Sequence, residues 1–412
     1  MELSRRDALA LPLAAAVAGS GGAARAQAPA AIRIGVLSDM SGPYRDISGP
    51  NCVAMARQAV QDFGAGARGL TVEILQADHQ NKPDVGVNVA RQWFDRDGVD
   101  AILEVNNSAI AMAINGLARE KNKVHLNSGA ASAELTGSAC SPNMVHWTTD
   151  TWANAQSTAG ALARAGAKRW YLITADYAFG HSVQREVTRV VQAAGGQVLG
   201  SAVYPFPQTT DFSSFLVGGA AMRPDAVGFC NAGADMINCV KQAQEFGLAG
   251  RRIRPAAMIG HVVDIHTLGL QTAQGLVFTE SFYWDLNERT RALHERLRGK
   301  MANNHAPNSV QAQAYGAAFH YLRAVEALGV PRAKASGLDV IAAMKRLPTD
   351  DDAHGAGSVR ADGRKLHPTH LFEAKAPAES RGPWDYLKPI ATTPAEQAFR
   401  PLADGNCPFV RA

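Results

Sequence analysis

Ile32-Arg-Ile-Gly-Val-Leu37 is a short apolar run, Ser38-Asp-Met-Ser-Gly-Pro43 is a loop of turn-forming residues, and Asn51 to Phe63 repeats its apolar residues at helical spacing. Strand, loop, helix is the order this predicts. The unit recurs: Thr71 to Ala77 precedes a helical pattern from Asp84 to Phe94, Ala101 to Val105 precedes one from Ala109 to Glu120, and Val124 to Asn127 supplies a fourth strand. Apolar runs of this length alternating with helices build a parallel sheet with helices on both faces.

A second series starts after the break at His146-Trp-Thr-Thr-Asp150. Strands are expected at Trp170 to Thr174, Gly196 to Tyr204, Ala226 to Cys230 and Ala256 to Ile259. Helices are expected at Trp152 to Ala165, His181 to Ala194, Phe212 to Ala221 and Met236 to Gly247. Two such series mean two doubly wound α/β lobes. The helical patterns Ala312 to Leu328 and Gly337 to Leu347 are not needed to complete the second lobe. In the tail, Gly357 to Gly363 followed by His370 to Ala374 reads as a hairpin turning at Asp362-Gly363.

The first residues carry a different signature. Arg5 and Arg6 precede an apolar run from Ala8 to Ala18, and small residues lead to Ala26-Gln27-Ala28. This is the layout of an export signal, expected over residues 1–26 and of the twin-arginine kind. Its apolar run falls short of the ~20 residues that span a bilayer. A soluble protein exported to the periplasm is therefore expected, and a monomer. The remaining length, about 385 residues, suits two domains.

Hydrophobic residues at 46% and charged residues at 19% exclude a disordered chain. The net charge of +4, with no basic run interleaved with aromatics, gives no reason to expect nucleic acid as a partner. Of five cysteines, Cys140 and Cys407 lie in loops and are the first pair to expect as a disulfide in an oxidising compartment. Cys52, Cys230 and Cys239 fall on predicted helices or strands, where buried thiols are expected.

Ligands of open α/β sheets bind beyond the carboxyl ends of the strands. The loops there are polar and small: Tyr44 follows the first strand, Asn106-Asn107-Ser108 the third, and Ser128-Gly-Ala130-Ala131-Ser132 the fourth. The second series offers Tyr177 and Phe179, then Asn231, Gly233 and Asp235. Free amides at helix starts, helped by serine hydroxyls, make a receptor for a carboxylate. Ser108, Ser132 and Asp235 also stand where such residues cap helices with no ligand present, and Tyr44, Trp152 and Tyr177 could simply pack the surface between the lobes. The clustering at successive strand ends favours binding.

Catalytic and cofactor motifs are missing: there is no CxxC, HExxH, phosphate loop or Gly-x-Ser-x-Gly elbow. His354, His367 and His370 cluster in the tail, where a solvated surface is expected. No cofactor, metal or enzymatic activity is expected.

The stretches Ile32 to Pro43, Ser128-Gly-Ala-Ala-Ser-Ala-Glu-Leu-Thr136 and Asp176-Tyr-Ala-Phe-Gly180, in that order behind an export signal, resemble the leucine/isoleucine/valine-type periplasmic solute-binding proteins of ABC transporters. Pro383-Trp-Asp-Tyr386 is similar to the tail of one branch of that family. The resemblance implies two lobes joined by three hinge crossovers, with residues 32–147 and 282–347 in lobe 1 and residues 148–281 and 348–412 in lobe 2. It further implies a small ligand in the cleft between them, hinge closure, and delivery to an ABC permease.

By the same resemblance, the loops at Asn106 to Ser108 and Ser128 to Ser132 hold a ligand carboxylate, and an aromatic of the Tyr177 to Phe179 loop closes from lobe 2. Amino-acid binders of the family place an acid for the ammonium group in the segment matching Met258-Ile-Gly-His261. None stands there. A buried ammonium without an acid is costly, so a carboxylate with an apolar or aromatic body is expected to outbind leucine, isoleucine and valine unless Asp235, Asp264 or Glu280 substitutes. An exported hydrolase or redox enzyme, and a sensory binding module, are the alternative functions.

Overall fold

The structure, a computed structural model, describes residues 31–410. The expected export signal lies outside the described residues. Ile32–Ser38 (β1), Val72–Asp78 (β2), Ala101–Glu104 (β3), Val124–Asn127 (β4) and Met144–His146 (β5) form a parallel sheet in the order β2-β1-β3-β4-β5. Ile32, Ile34 and Val36 pack into one core with the helices Gly49–Phe63 and Ser309–Leu328, while Leu37, Ile102 and Val105 pack on the other face with Trp93, Ile110 and Ile114. This is the period-two alternation of a strand covered on both sides.

The second sheet is built in the same way. Arg169–Ala175 (β6), Gln197–Tyr204 (β7), Ala226–Cys230 (β8) and Arg254–Ala257 (β9) run parallel in the order β7-β6-β8-β9. Trp170 and Leu172 face helix Ala178–Ala193, and Tyr171 and Ile173 face Leu216, Met236 and Val240. β9 begins two residues before its expected start and stops at Ala257, which leaves Met258 to His261 as the loop beyond the strand end. The expected helix from Trp152 is present but contains a wide π turn over Ala155–Ala159.

Five more strands follow: Val277–Glu280 (β10), Ser358–Val359 (β11), Lys365–Leu366 (β12), Thr369–Ala374 (β13) and Leu387–Thr393 (β14). β10, β13 and β14 make an antiparallel sheet. The expected turn at Asp362-Gly363 exists, but its second arm is β12, and β13 pairs with β10 and β14 instead. Sequence pattern misassigned the arm because β11 and β12 have two residues each, too few to show a period.

Core membership places the crossovers. Trp147 lies in the first core and Ala155 with lobe 2; Phe278 lies with lobe 2 and Phe282 with lobe 1. Ala353 and Val359 still pack in the first core, so residues 348–366 sit with lobe 1 and the third crossover lies between Leu366 and Thr369. The long helix Ser309–Leu328 packs against Gly49–Phe63 and contributes to the first core. His354 and His367 are not solvated as expected: the His354 side chain is 1% exposed and His367 is fully buried. They fill the space between crossovers, with His354 Nε2 3.3 Å from Ser281 Oγ and His367 Nε2 3.2 Å from Trp147 O.

After β14 the chain returns to lobe 1. Cys407 is joined by a disulfide to Cys140, and Arg400 Nη2 donates to Ala133 O at 2.9 Å. Cys52, Cys230 and Cys239 are buried free thiols.

Candidate functional site

The strand ends of both sheets point at one cleft. It holds a pocket of about 30 Å³, partly open to solvent and with room for about two waters. Tyr44, Ile47, Asn106, Gly129 and Ala131 line it from lobe 1, Tyr177, Phe179, Ala232, Ile259 and His261 from lobe 2, and Thr148, Thr149, Asn154 and Thr279 from the crossovers and their flanks. Val310, at the start of the long helix, completes the wall.

The lobes touch around it. The hydroxyls of Tyr44 and Tyr177 hydrogen-bond at 2.5 Å, and both rings stack on Phe206, with centroids 5.4 and 4.6 Å away. Ala234 N donates to Pro43 O at 3.2 Å, which is where Gly233 and its neighbours meet lobe 1. Ser182 Oγ donates to Glu134 Oε2 at 2.9 Å, and Arg185 pairs with the same carboxylate. Burial pushes both phenols up, helped at Tyr44 by the charge of Tyr177 and at both by that of Asp235, so they stay protonated near neutrality and their bond persists.

Of the expected site residues, Tyr44, Asn106, Ala131, Tyr177, Phe179 and His261 line the cavity. The others stand behind or beside it. Asn107 caps helix Ser108–Glu120, its Oδ1 accepting from Ala109 N and Ile110 N. Ser108 Oγ accepts from Ser132 N at 3.3 Å, and Ser128 Oγ donates to Glu104 Oε2 at 2.9 Å. Ala130 N donates to Asn127 Oδ1 while its carbonyl accepts from His146 Nε2. Asp235 accepts from the Tyr204 hydroxyl at 2.7 Å, Asn231 Nδ2 lies 3.4 Å from Cys239 Sγ, and Trp152 carries the Arg189 guanidinium over its ring. These side chains hold the loops in place.

Sequence reasoning missed Thr148, Thr149, Asn154 and Thr279. A crossover between lobes must pass the cleft, so the break at His146 to Asp150 held the signal for the first two. Ile47 and Val310 come from distant parts of the chain and gave none. Asn154 precedes the π turn, a distortion common at functional sites; it is buried, and its Oδ1 has no hydrogen-bond partner.

Neither Lys nor Arg lines the cavity. The amides of Gly129 and Ala131 donate no hydrogen bond among the described residues, which leaves two donors at the lobe 1 wall. At the other wall, His261 Nδ1 donates to Glu280 Oε1 at 2.6 Å, and His261 N donates to Asp264 Oδ2 at 2.9 Å. Burial depresses the imidazole, but the hydrogen bond and charge of Glu280 outweigh it and hold His261 above its usual range. Burial pushes Asp264 up to about 6. Glu280, at the end of β10, and Asp264, in the first turn of the next helix, thus stand behind His261, and neither carboxyl lines the cavity itself.

A family model described as periplasmic binding protein matches residues 31–382. The chain belongs to that family. The crystal structure of a periplasmic binding protein from Burkholderia mallei is 39% identical, covers 92% of this chain and 99% of its own, and superposes with a TM-score of 0.87. A branched chain amino acid ABC transporter periplasmic ligand-binding protein from Burkholderia xenovorans is 37% identical with the same coverage and a TM-score of 0.80. A Leu/Ile/Val-binding protein homolog from Brucella abortus is 26% identical over 230 residues, or 53% of this chain. The chain spans about half the length of that curated relative, 55%. This periplasmic binding protein therefore shares its two-lobed fold, with three hinge crossovers, along nearly its whole described length.

Proposed function

We propose that this periplasmic binding protein is a non-enzymatic receptor that captures one small carboxylate-bearing solute between its lobes and delivers it to an ABC permease. The observation that carries the reading is the cavity whose walls come from both lobes and whose lobe 1 side presents the free Gly129 and Ala131 amides. A carboxylate bound there exchanges its water shell for fixed donors. The Tyr44–Tyr177 bond ties the lobes together beside the cavity, and a solute is admitted as the lobes part about their crossovers.

The solute's other end meets His261, Asn154 and Thr279. With Nδ1 committed to Glu280, His261 keeps Nε2 for the cavity, and the unpartnered Asn154 Oδ1 is a second acceptor. Two buried acids against one imidazole leave this wall negative when both are ionised. An amino acid or amide, which brings N–H donors, fits it better than a plain apolar acid. The expectation that plain acids outbind leucine took no acid partner to be present; with Glu280 and Asp264 behind His261, the amino acid or amide is placed first here. The rings of Tyr44, Tyr177 and Phe179 keep an aromatic acid as the second reading.

A thermal-shift screen of L-amino acids, their amides and aromatic carboxylates separates the two. A ligand at a hundred times its dissociation constant stabilises by about 2.7 kcal/mol. Amino acids or amides are expected to raise the melting temperature more than benzoates. A shift from aromatic acids alone would transfer the assignment to them, and no shift from any carboxylate would refute the solute class.

A further inference from the structure

Glu104 ends β3 behind the Gly129 wall of the cavity and has no exposed surface. Oε2 accepts from Ser128 Oγ at 2.9 Å, and Oε1 has no hydrogen-bond partner. A Cβ built on Gly129 would collide with both carboxyl oxygens, so the carboxyl lies directly against the glycine backbone that lines the cavity. Only glycine fits between the two. The backbone here is left-handed at two successive non-glycine residues, Glu104 with φ 85° and Val105 with φ 63°. For β-branched Val105 that is a true outlier, and such strain collects at ligand sites.

Among the described residues, no lysine, arginine or histidine charge acts on the Glu104 carboxyl. The neighbouring strands β1 and β4 bring Leu37 and Asn127 opposite Glu104. The loop brings Ser128, and helix Gly49–Phe63 with its N-terminal side brings Cys52 and Ser48. Cys52 is the titratable group that faces it, and burial pushes that thiol up so that it stays neutral. Burial likewise pushes Glu104 up to about 8, against the hydrogen bond from Ser128.

We infer that Glu104 is a positioning residue: as an un-ionised carboxyl it braces the Ser128-Gly129 turn so that the Gly129 and Ala131 amides meet the solute's carboxylate, and it couples capture of that anion to one proton. An ionised Glu104 would set a second negative charge directly behind the bound one. The inference rests on the carboxylate site proposed above. Binding at a pH where Glu104 is ionised must draw a proton from solvent onto the carboxyl.

The test titrates L-leucine and benzoate, by calorimetry from pH 6 to 9, into the wild type and the Glu104→Gln variant. Wild-type affinity for whichever probe binds is expected to fall about tenfold from pH 7 to pH 9, and the variant's to stay within about twofold. At pH 8, wild-type titrations in phosphate and in Tris should report uptake of about half a proton per ligand. That measurement stands even if the variant fails to fold. Parallel pH profiles, or no proton uptake, would overturn the inference. Should neither probe bind, urea unfolding of the ligand-free wild type still decides on Glu104. Stability falling from pH 5 to pH 8 faster than in Glu104→Gln supports the un-ionised carboxyl, and parallel curves refute it.

Discussion

The bond between the Tyr44 and Tyr177 hydroxyls joins the lobes, so it exists only when they are together. Tyr177→Phe removes one hydroxyl and leaves the ring stacked on Phe206. A neutral hydrogen bond is worth about 0.5 to 1.5 kcal/mol net, and a buried partner left unmet costs more. Ligand affinity, read by calorimetry, is therefore expected to fall several-fold to about tenfold in Tyr177→Phe, with little change in the urea midpoint of the ligand-free protein. An unchanged affinity would mean that the hydroxyl pair contributes nothing to closure. At Glu104 the linkage runs differently. Its folded-state value, about 8, lies above the unfolded carboxyl's, so its contribution is fully present below about pH 4.5 and is lost as pH rises to about 8. Neither feature could be placed from sequence: Tyr44 stood out as an aromatic in a strand-end loop, whereas Glu104 reads as one acid at the end of an apolar strand with nothing to mark its burial.

β12 shows how a two-residue element can fix a hinge. Arg364 precedes it, is fully buried, and reaches the first crossover: Nη2 lies 3.2 Å from Asp150 Oδ2 and 2.5 Å from His146 Nδ1, while Nη1 donates to Thr148 O. Asp150 in turn caps the helix at Thr151, its Oδ1 accepting from Ala153 N at 2.9 Å. The guanidinium also sits 4.6 Å over the Phe399 ring. Removing one partner of a buried ion pair leaves an uncompensated charge, at a cost of about 3 to 5 kcal/mol. Arg364→Leu is expected to lower the unfolding free energy by that amount, and a loss under about 1 kcal/mol in urea titrations would contradict this account of the crossover. The strands from Ile32 to Cys230 were legible as apolar runs between turn residues, except for the three-residue β5 at Met144–His146, which is too short to carry a pattern and read as part of the break before the second series. The elements after them were less so. β11 and β12 are too short to carry a period, β10 lies in a stretch that reads as a linker, and Arg364 looks like any charge beside a turn. The cleft loops were legible as places beyond strand ends, but which of their side chains face the cavity depends on hydrogen bonds such as Ser108 to Ser132 N, which spacing does not encode.

Three crossovers set the hinge, and the tail adds a further tie between the lobes. β14 belongs to the sheet of lobe 2, yet Phe399 packs beside Ala153, Arg360 Nη1 donates to Arg400 O, and Cys407 is bonded to Cys140 in the loop that follows the Ser128 to Ser132 wall. The residues joined are 267 apart in sequence. A cross-link closing so long a loop removes much entropy from the unfolded chain, and loss of such a bond costs about 2 to 5 kcal/mol. The paired substitution Cys140→Ser with Cys407→Ser should therefore lower the unfolding free energy in urea by about that amount. It should also act on the hinge. Because the tail runs from lobe 2 to an anchor on lobe 1, parting the lobes pulls against the disulfide, and releasing the anchor lets the ligand-free protein open further. Pulsed electron paramagnetic resonance between a label on each lobe reads that distance without counting the freed tail itself. A longer ligand-free distance in the double variant is expected, with the same short distance once a saturating ligand is present. Equal ligand-free distances would show that the tail stabilises the fold but leaves the motion to the three crossovers alone.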